Sequence, residues 1–406
     1  MKKIIFHIDV NNAYLSWEAT HRLKNGYNLD LRNIPCVIGG NTQHRKGVVL
    51  AKSIPAKKYG INTGESLYNA YKKYPDLLVV PPNFNLYSDY SNTMISLLRE
   101  YSTKVERFSI DECFINYTNM EVLLGDPLKG AYLIKNRIKR ELGFTVNIGI
   151  SYNKILAKMA SDFSKPDKVH TLFPSEISKK MWPLPVERLF MVGEKSANEL
   201  HNLGIFSIED LAKSNLDIIQ SKLKSHGVMI WNYANGIGNS DIKEENESDI
   251  KGIGNSTTLP YDISSKEEAH IILLKLCDKV SSRLRKSNLL GDIISVTIKT
   301  SDFNTYSHQR KINNLTNITN VIYENCKTLF NESWKGEPIR LLGVRVSNLS
   351  ESECSQLSIF DLEDNEKLKN LDKVIDEIRS KYNGDIITRS CFLKFKNKDI
   401  KNSGIF

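Results

Sequence analysis

The chain of 406 residues carries 56 Lys and Arg against 47 Asp and Glu, a formal charge of +9, with 40% hydrophobic and 25% charged residues. That balance excludes a disordered, a collagen-like or a membrane-spanning chain, and the length allows two to four domains. The positive excess is compatible with a polyanionic partner but does not name one. Six sparse cysteines, at 36, 113, 277, 326, 354 and 391, form no C-x-x-C pair. Free, mostly buried thiols in a reducing cytoplasm are expected, with no zinc site. His7 and Asp9 break the opening apolar run, leaving it too short for an export signal.

Residues 3–10 read as a short strand ending in an acid, followed by a helix over 12–24. Strands are predicted at 34–38 and 47–52, around Gly39, Gly40 and a basic turn at 44–46, then a helix at 64–73 and a strand at 77–80. Tyr87, Tyr90, Met94, Leu97 and Tyr101 recur at spacings of three and four, one face of a helix over 85–102. Residues 104–118 read as two strands around an acidic turn at 109–112. A helix (127–142), a strand (145–151) and a helix (153–163) follow. The strands 3–10, 104–117 and 145–151 are expected to form one sheet with helices on one face.

A helical region is predicted over 166–240. Residues 241–251 hold five acids and two lysines and read as a solvated linker and domain boundary. Beyond it, Ser265 and Glu268 form a capping box for a helix to Arg285. Residues 293–299 and 340–349 alternate apolar and polar, with a helix over 316–331 between them: an α+β layer with one polar, basic sheet face. The tail holds one amphipathic helix with Leu368, Leu371, Ile375 and Ile378 on its apolar face.

Three carboxylates carry the strongest chemical signal. Asp9 ends an apolar strand, and Asp111 and Glu112 occupy the turn between two others. Carboxylates at strand ends point into the crevice where sheet proteins bind ligands. Three converging there repel one another unless cations intervene, and hard oxygen donors suit Mg²⁺. Two such ions clamp the attacking and leaving oxygens of an in-line phosphoryl transfer. The same residues also fit a plainer role, Asp9 as a helix cap and the other two as turn residues.

The run Asp9-Val10-Asn11-Asn12-Ala13-Tyr14, the SIDE turn at 109–112 and NKILAKMASDFSKP at 153–166 resemble, in order and spacing, the Y-family (translesion) DNA polymerases, in their bacterial DNA polymerase IV branch. The resemblance spans about residues 1–350. It implies a multidomain α+β and α/β right hand. A palm with a mixed sheet takes 1–12 and 78–165, and fingers 13–77. A helical helix–hairpin–helix thumb takes 166–240 and an α+β little finger 252–350. The tail is 351–406.

The function implied is low-fidelity, template-directed DNA synthesis on primer–template DNA from dNTPs, without a proofreading exonuclease, by a cytoplasmic monomer. Asp9, Asp111, Glu112 and the Val10 carbonyl would hold two Mg²⁺ ions, for which Mn²⁺ can substitute, with Ser109 behind them. Asn11, Asn12, Ala13 and Ser53 would bind the nucleotide, and Lys57 and Lys158 would clamp its triphosphate. From the residues alone Tyr14 reads first as core packing on a short helix; the matching motif makes it the steric gate against a 2′-hydroxyl. The finger segment departs from the family pattern, with Ile54 for the usual Tyr and Lys57 for the usual Arg.

Residues 185–211 read as helix, glycine turn and helix, with Gly193 and Lys195 in the turn and Gly204 ending the second helix, a resemblance to DNA-phosphate-binding hairpins. Between 252 and 350 there are 13 basic and nine acidic residues, a net +4. Lys299, Arg310, Lys311, Arg340 and Arg345 lie on or beside the alternating strands, where they would bind DNA phosphates or form a solvated face. Gln356, Leu357, Ile359 and Phe360 resemble a sliding-clamp docking peptide. Two competing readings are another palm-type enzyme, such as a nucleotidyl cyclase, and a non-catalytic DNA- and clamp-binding accessory protein of the same fold.

Overall fold

The computed structural model describes residues 3–40, 47–243, 250–351, 362–382 and 386–392. The basic turn 44–46 and the peptide 356–360 lie outside them. The chain divides into two compact units, with the break at 246/247. Among the described residues no helix is long and apolar enough to cross a membrane. Cys36, Cys113, Cys277 and Cys326 are buried free thiols.

The N-terminal unit contains β1 (Ile5–Val10), β2 (Cys36–Gly39), β3 (Val49–Lys52), β4 (Leu78–Val80), β5 (Val105–Arg107), β6 (Glu112–Asn116), β7 (Val146–Ser151) and β8 (Val169–Thr171). Five of them form a mixed sheet of order β5–β6–β1–β7–β8, antiparallel except for the parallel pair β7–β8. β8 lies in the stretch expected to be helical; at three residues it is too short to show a period. The other three strands make a small sheet of order β3–β2–β4 over its own core of Val37, Val49, Ile61 and Leu67.

β1 is buried on both sides, so helices cover both faces of the larger sheet, and the expectation of one covered face is corrected. Phe6, Ile8 and Val10 pack into the main core with residues of the helices Phe84–Arg99 and Pro127–Arg137. On the opposite face Ile5 meets Ala157 and His7 meets Ser161, both from the helix Lys154–Ser161. That helix sits on Gly149 of β7: a Cβ there would lie 1.9 Å from the Ala157 carbonyl oxygen and 2.5 Å from the Ser161 nitrogen. Neither backbone atom can swing aside. Gly149→Ala is therefore expected to cost about 2–3 kcal/mol of stability, read as a lower urea midpoint; an unchanged midpoint would show that the helix can lift off without cost.

The C-terminal unit contains β9 (Gly252–Ile263), β10 (Leu290–Thr300), β11 (Thr305–Thr316) and β12 (Ile339–Ser350), an antiparallel sheet of order β11–β10–β12–β9. Ile294, Val296 and Ile298 share a core with Leu342, Val344 and Val346 beneath the helices Lys266–Lys286 and Thr319–Ser333. Ser265 caps the first helix, its Oγ accepting from the Glu268 N–H at 3.3 Å. The helix Leu362–Tyr382 packs on this unit through polar anchors. Arg285 pairs with Asp372 (3.1 Å) and Asp376 (2.6 Å), Arg379 pairs with Asp278 (2.8 Å), and Asp372 accepts from the Thr319 N–H. Leu371, expected on its apolar face, is half exposed.

Candidate active site

The antiparallel pair β1–β6 sets Asp9 opposite Glu112. The hairpin before β6 closes with Phe108 and Ser109 N–H groups donating to the Glu112 carbonyl, and the Val10 N–H donates to the Asp111 carbonyl at 3.0 Å. Asp9, Asp111 and Glu112 thus meet at one end of the sheet. Asp9 does not cap the next helix: Asn12 takes that position in a left-handed conformation (φ 50°, ψ 51°), and the helix Ala13–Lys24 starts beyond it. The three acids line a cleft of about 610 Å³ together with Val10, Asn11, Asn12, Ala13, Tyr14, Ser53, Ile54, Lys57 and Lys165.

Each carboxylate has its own partner. Asp9, 6% exposed, accepts from Lys165 Nζ at 2.7 Å. Burial pushes its carboxyl up to about 6 even against the Lys165 charge. Glu112 accepts from Lys158 Nζ at 2.6 Å and faces His7 Nε2 at 3.3 Å. Burial works against its charge, but the bonds from His7 and Lys158 win and hold it at about 2. Asp111 Oδ1 accepts from Ser109 Oγ at 2.6 Å, and that hydroxyl oxygen in turn accepts the Asp111 and Glu112 N–H groups. Among the described residues no three His, Cys, Asp or Glu side chains are gathered as a ready cation cage. The donor set nonetheless fits a hard divalent cation.

Lys158 is corrected. It is buried, its ammonium held by Glu112 and lying over the rings of Phe108 and Phe190 at 5.3 and 5.2 Å, and it is not among the cleft-lining residues. The cation that enters the cleft from this segment is Lys165, seven residues further on and past the helix end, which sequence reasoning passed over although it stands inside the 153–166 run.

Other predicted residues are placed as follows. Asn11 is a buried brace, donating to Asn147 Oδ1 and accepting from Thr145 Oγ1 and the Asp167 N–H. Ser53 caps the short helix Ile54–Lys58, donating to the Ile34 carbonyl at 2.6 Å. Ile54 and Lys57 line the cleft from that helix. Tyr14 stacks on Tyr87, centroids 4.7 Å apart and planes 12° from parallel, with Phe84 edge-on at 6.1 Å.

In the 185–211 segment the first arm is a single 3₁₀ turn, Val186–Arg188, rather than a helix. Gly193 is the N-cap of the helix Glu194–Asn202, and Lys195 lies inside that helix rather than in the turn. Gly204 follows that helix at φ +77°. In the C-terminal sheet, Arg345 is exposed opposite Ser295, on the polar face. Lys299 and Arg340 both lie over the Phe303 ring. Lys311 sits 3.6 Å from Asp292. Arg310 is corrected: it stands opposite the core residue Ile294 and pairs with Glu332 of the helix layer at 2.8 Å. Neighbours in a strand face opposite sides, so Arg310 and Lys311 cannot share a face.

Residues 8–162 match the impB/mucB/samB family, and residues 250–359 match its C-terminal domain. The chain is 50% identical over 398 residues to a DNA polymerase IV of Clostridium acetobutylicum, covering 98% of this chain and all of that one. It is 38% identical to a DNA polymerase IV of Acetivibrio thermocellus, covering 97% and 98% of the two chains. A solved Y-family DNA polymerase chimera of Dbh and Dpo4 superposes with a TM-score of 0.75 at 23% identity, over 86% of this chain and all of the other, and shows the fold. With two family domains in order and relatives matched end to end, the chain belongs to the Y-family DNA polymerases, in the bacterial DNA polymerase IV branch.

Proposed function

We infer that this chain is a low-fidelity DNA polymerase that adds dNTPs to a primer 3′-hydroxyl under template direction and bypasses damaged bases. The observation that carries this is one cleft lined by three carboxylates, three lysines (Lys52, Lys57 and Lys165) and a stacked tyrosine. Asp9, Asp111, Glu112 and the Val10 carbonyl are the proposed holders of two divalent cations. When bound, such cations supply acidification of the primer hydroxyl and neutralisation of the phosphates. Lys165 and Lys57 balance charge on the triphosphate, and the α-phosphate is attacked in line with loss of pyrophosphate. Lys158 fixes the Glu112 carboxylate as a positioning residue. Tyr14 takes the place under the sugar, held by Tyr87.

Lys57 supplies charge but not the two-pronged contact of a guanidinium. Lys57→Arg is expected to lower the KM for dNTP by about three- to tenfold, one added charge-assisted bond, with little change in kcat; an unmoved or raised KM in steady-state incorporation would remove Lys57 from the triphosphate. The sheet face with Lys299, Lys311, Arg340 and Arg345, and the turn at Gly193 and Lys195, are proposed to bind DNA phosphates. Gln356, Leu357, Ile359 and Phe360 are proposed to dock on the sliding clamp.

Bypass is tested by primer extension across an abasic site and a bulky guanine adduct. Extension past at least one lesion is expected. Arrest at both, with normal extension on undamaged template, would keep the polymerase and remove the translesion role.

A further inference from the structure

The helix Lys266–Lys286 carries a row of exposed cations at 275, 279, 283 and 286. Steps of four, four and three residues place them on one stripe, about 4.5–6 Å apart along the axis. The stripe borders a groove of about 570 Å³ between this helix, Asn255 of the edge strand β9 and the helix Leu362–Tyr382. A second hollow of about 510 Å³ shares Arg283 and Lys286 and continues along Gly252–Gly254 of β9. Two acids also line the groove, and both are ion-paired: Asp278 with Arg379, and Asp376 with Arg285, which Asp372 shares. Among the described residues the cations of the stripe have no such partner. Arg283 donates only to the Gly254 carbonyl at 3.3 Å, and Lys275, Lys279 and Lys286 make no ion pair among the described residues.

We propose that this groove, separate from the carboxylate cleft and from the polar face of the sheet, is a second nucleic-acid site that tracks the backbone of single-stranded DNA. The step along the stripe matches the step between phosphates of an extended strand, and the acids that would repel a polyanion are spent on arginines. No exposed aromatic ring stands among the lining residues to stack on bases, so the contact is with phosphates alone, indifferent to sequence and sensitive to salt. An acidic protein segment is the competing occupant; its charges are not held to the regular step of a phosphate backbone.

The test uses the full chain and an oligodeoxythymidylate probe. Lys275→Gln, Lys279→Gln and Lys286→Gln combined is expected to reduce the slope of log affinity against log salt by about 2, three charges at roughly 0.7 each. The triple Lys→Arg variant should keep the slope. Neutralising Lys266, Lys327 and Lys335, on the same unit but outside the groove, should leave it nearly unchanged. An unaltered slope in the groove variant, or an equal fall in the control, overturns the proposal. So does binding of a polyglutamate peptide that depends on the three lysines while oligodeoxythymidylate binding does not. The readout needs no catalysis: an Asp111→Ala background gives the same slopes, so failure here and failure of the polymerase reading are distinguishable.

Discussion

Asp111→Ala is expected to reduce nucleotide incorporation about 10³-fold or more, on the scale at which loss of one preorganised electrostatic group slows an enzyme, while primer–template binding and folding persist. Asp111 suits this test better than the other two acids. Its side chain faces the cleft and, among the described residues, is bonded only by the Ser109 hydroxyl. Its removal leaves a hydroxyl that water can satisfy. Removing Glu112 strands the buried Lys158 ammonium beside His7, and removing Asp9 leaves Lys165 with Asp162 alone. Those variants lose stability as well as activity. Single-turnover incorporation, with binding measured separately by anisotropy, separates the two effects. A loss for Asp111→Ala that follows DNA affinity rather than the chemical step would place the residue in binding.

Tyr14→Ala is expected to raise ribonucleotide use relative to deoxyribonucleotide use by about 10²-fold, or roughly 2.7 kcal/mol at 1.36 kcal/mol per decade. The effect is steric. The ring lies flat on Tyr87, whose own side chain is fully buried, and Phe84 stands edge-on to it. Tyr14 cannot tilt away to admit a 2′-hydroxyl without breaking that stack. Tyr87→Leu keeps the gate residue but removes its backing, so an intermediate loss of discrimination is expected. The ratio of kcat/KM for the two sugars, measured on one template base, reads both variants. An unchanged ratio in Tyr14→Ala would assign the residue to packing.

The carboxylate end of the sheet was legible because strand-end acids interrupt apolar runs, and a hairpin turn keeps Asp111 and Glu112 adjacent. What lay hidden has a physical pattern. The edge strands β9 and β11 carry polar residues on both faces, and β9 contains Pro260, so neither shows the alternation that a half-buried strand requires. The exchange of Lys158 for Lys165 was hidden by helix geometry. Gly149 draws the helix Lys154–Ser161 onto the sheet, which turns Lys158 inward onto Glu112, while Lys165 follows the helix end and meets Asp9. Spacing in sequence does not tell which of two lysines on such a segment faces a carboxylate and which faces open space. The tail helix likewise hid its role, because its anchors on the C-terminal unit are Asp372, Asp376 and Arg379, residues that pattern reading assigns to solvent.

One experiment tests the polymerase activity most directly: the purified wild-type chain, an undamaged 5′-labelled primer–template, four dNTPs and Mg²⁺, with and without EDTA. The expected result is stepwise extension dictated by the template, abolished by EDTA, with no shortening of the primer when dNTPs are withheld. Tight binding of the primer–template with no added nucleotide, in Mg²⁺ or in Mn²⁺, would contradict it and leave an accessory protein of the same fold.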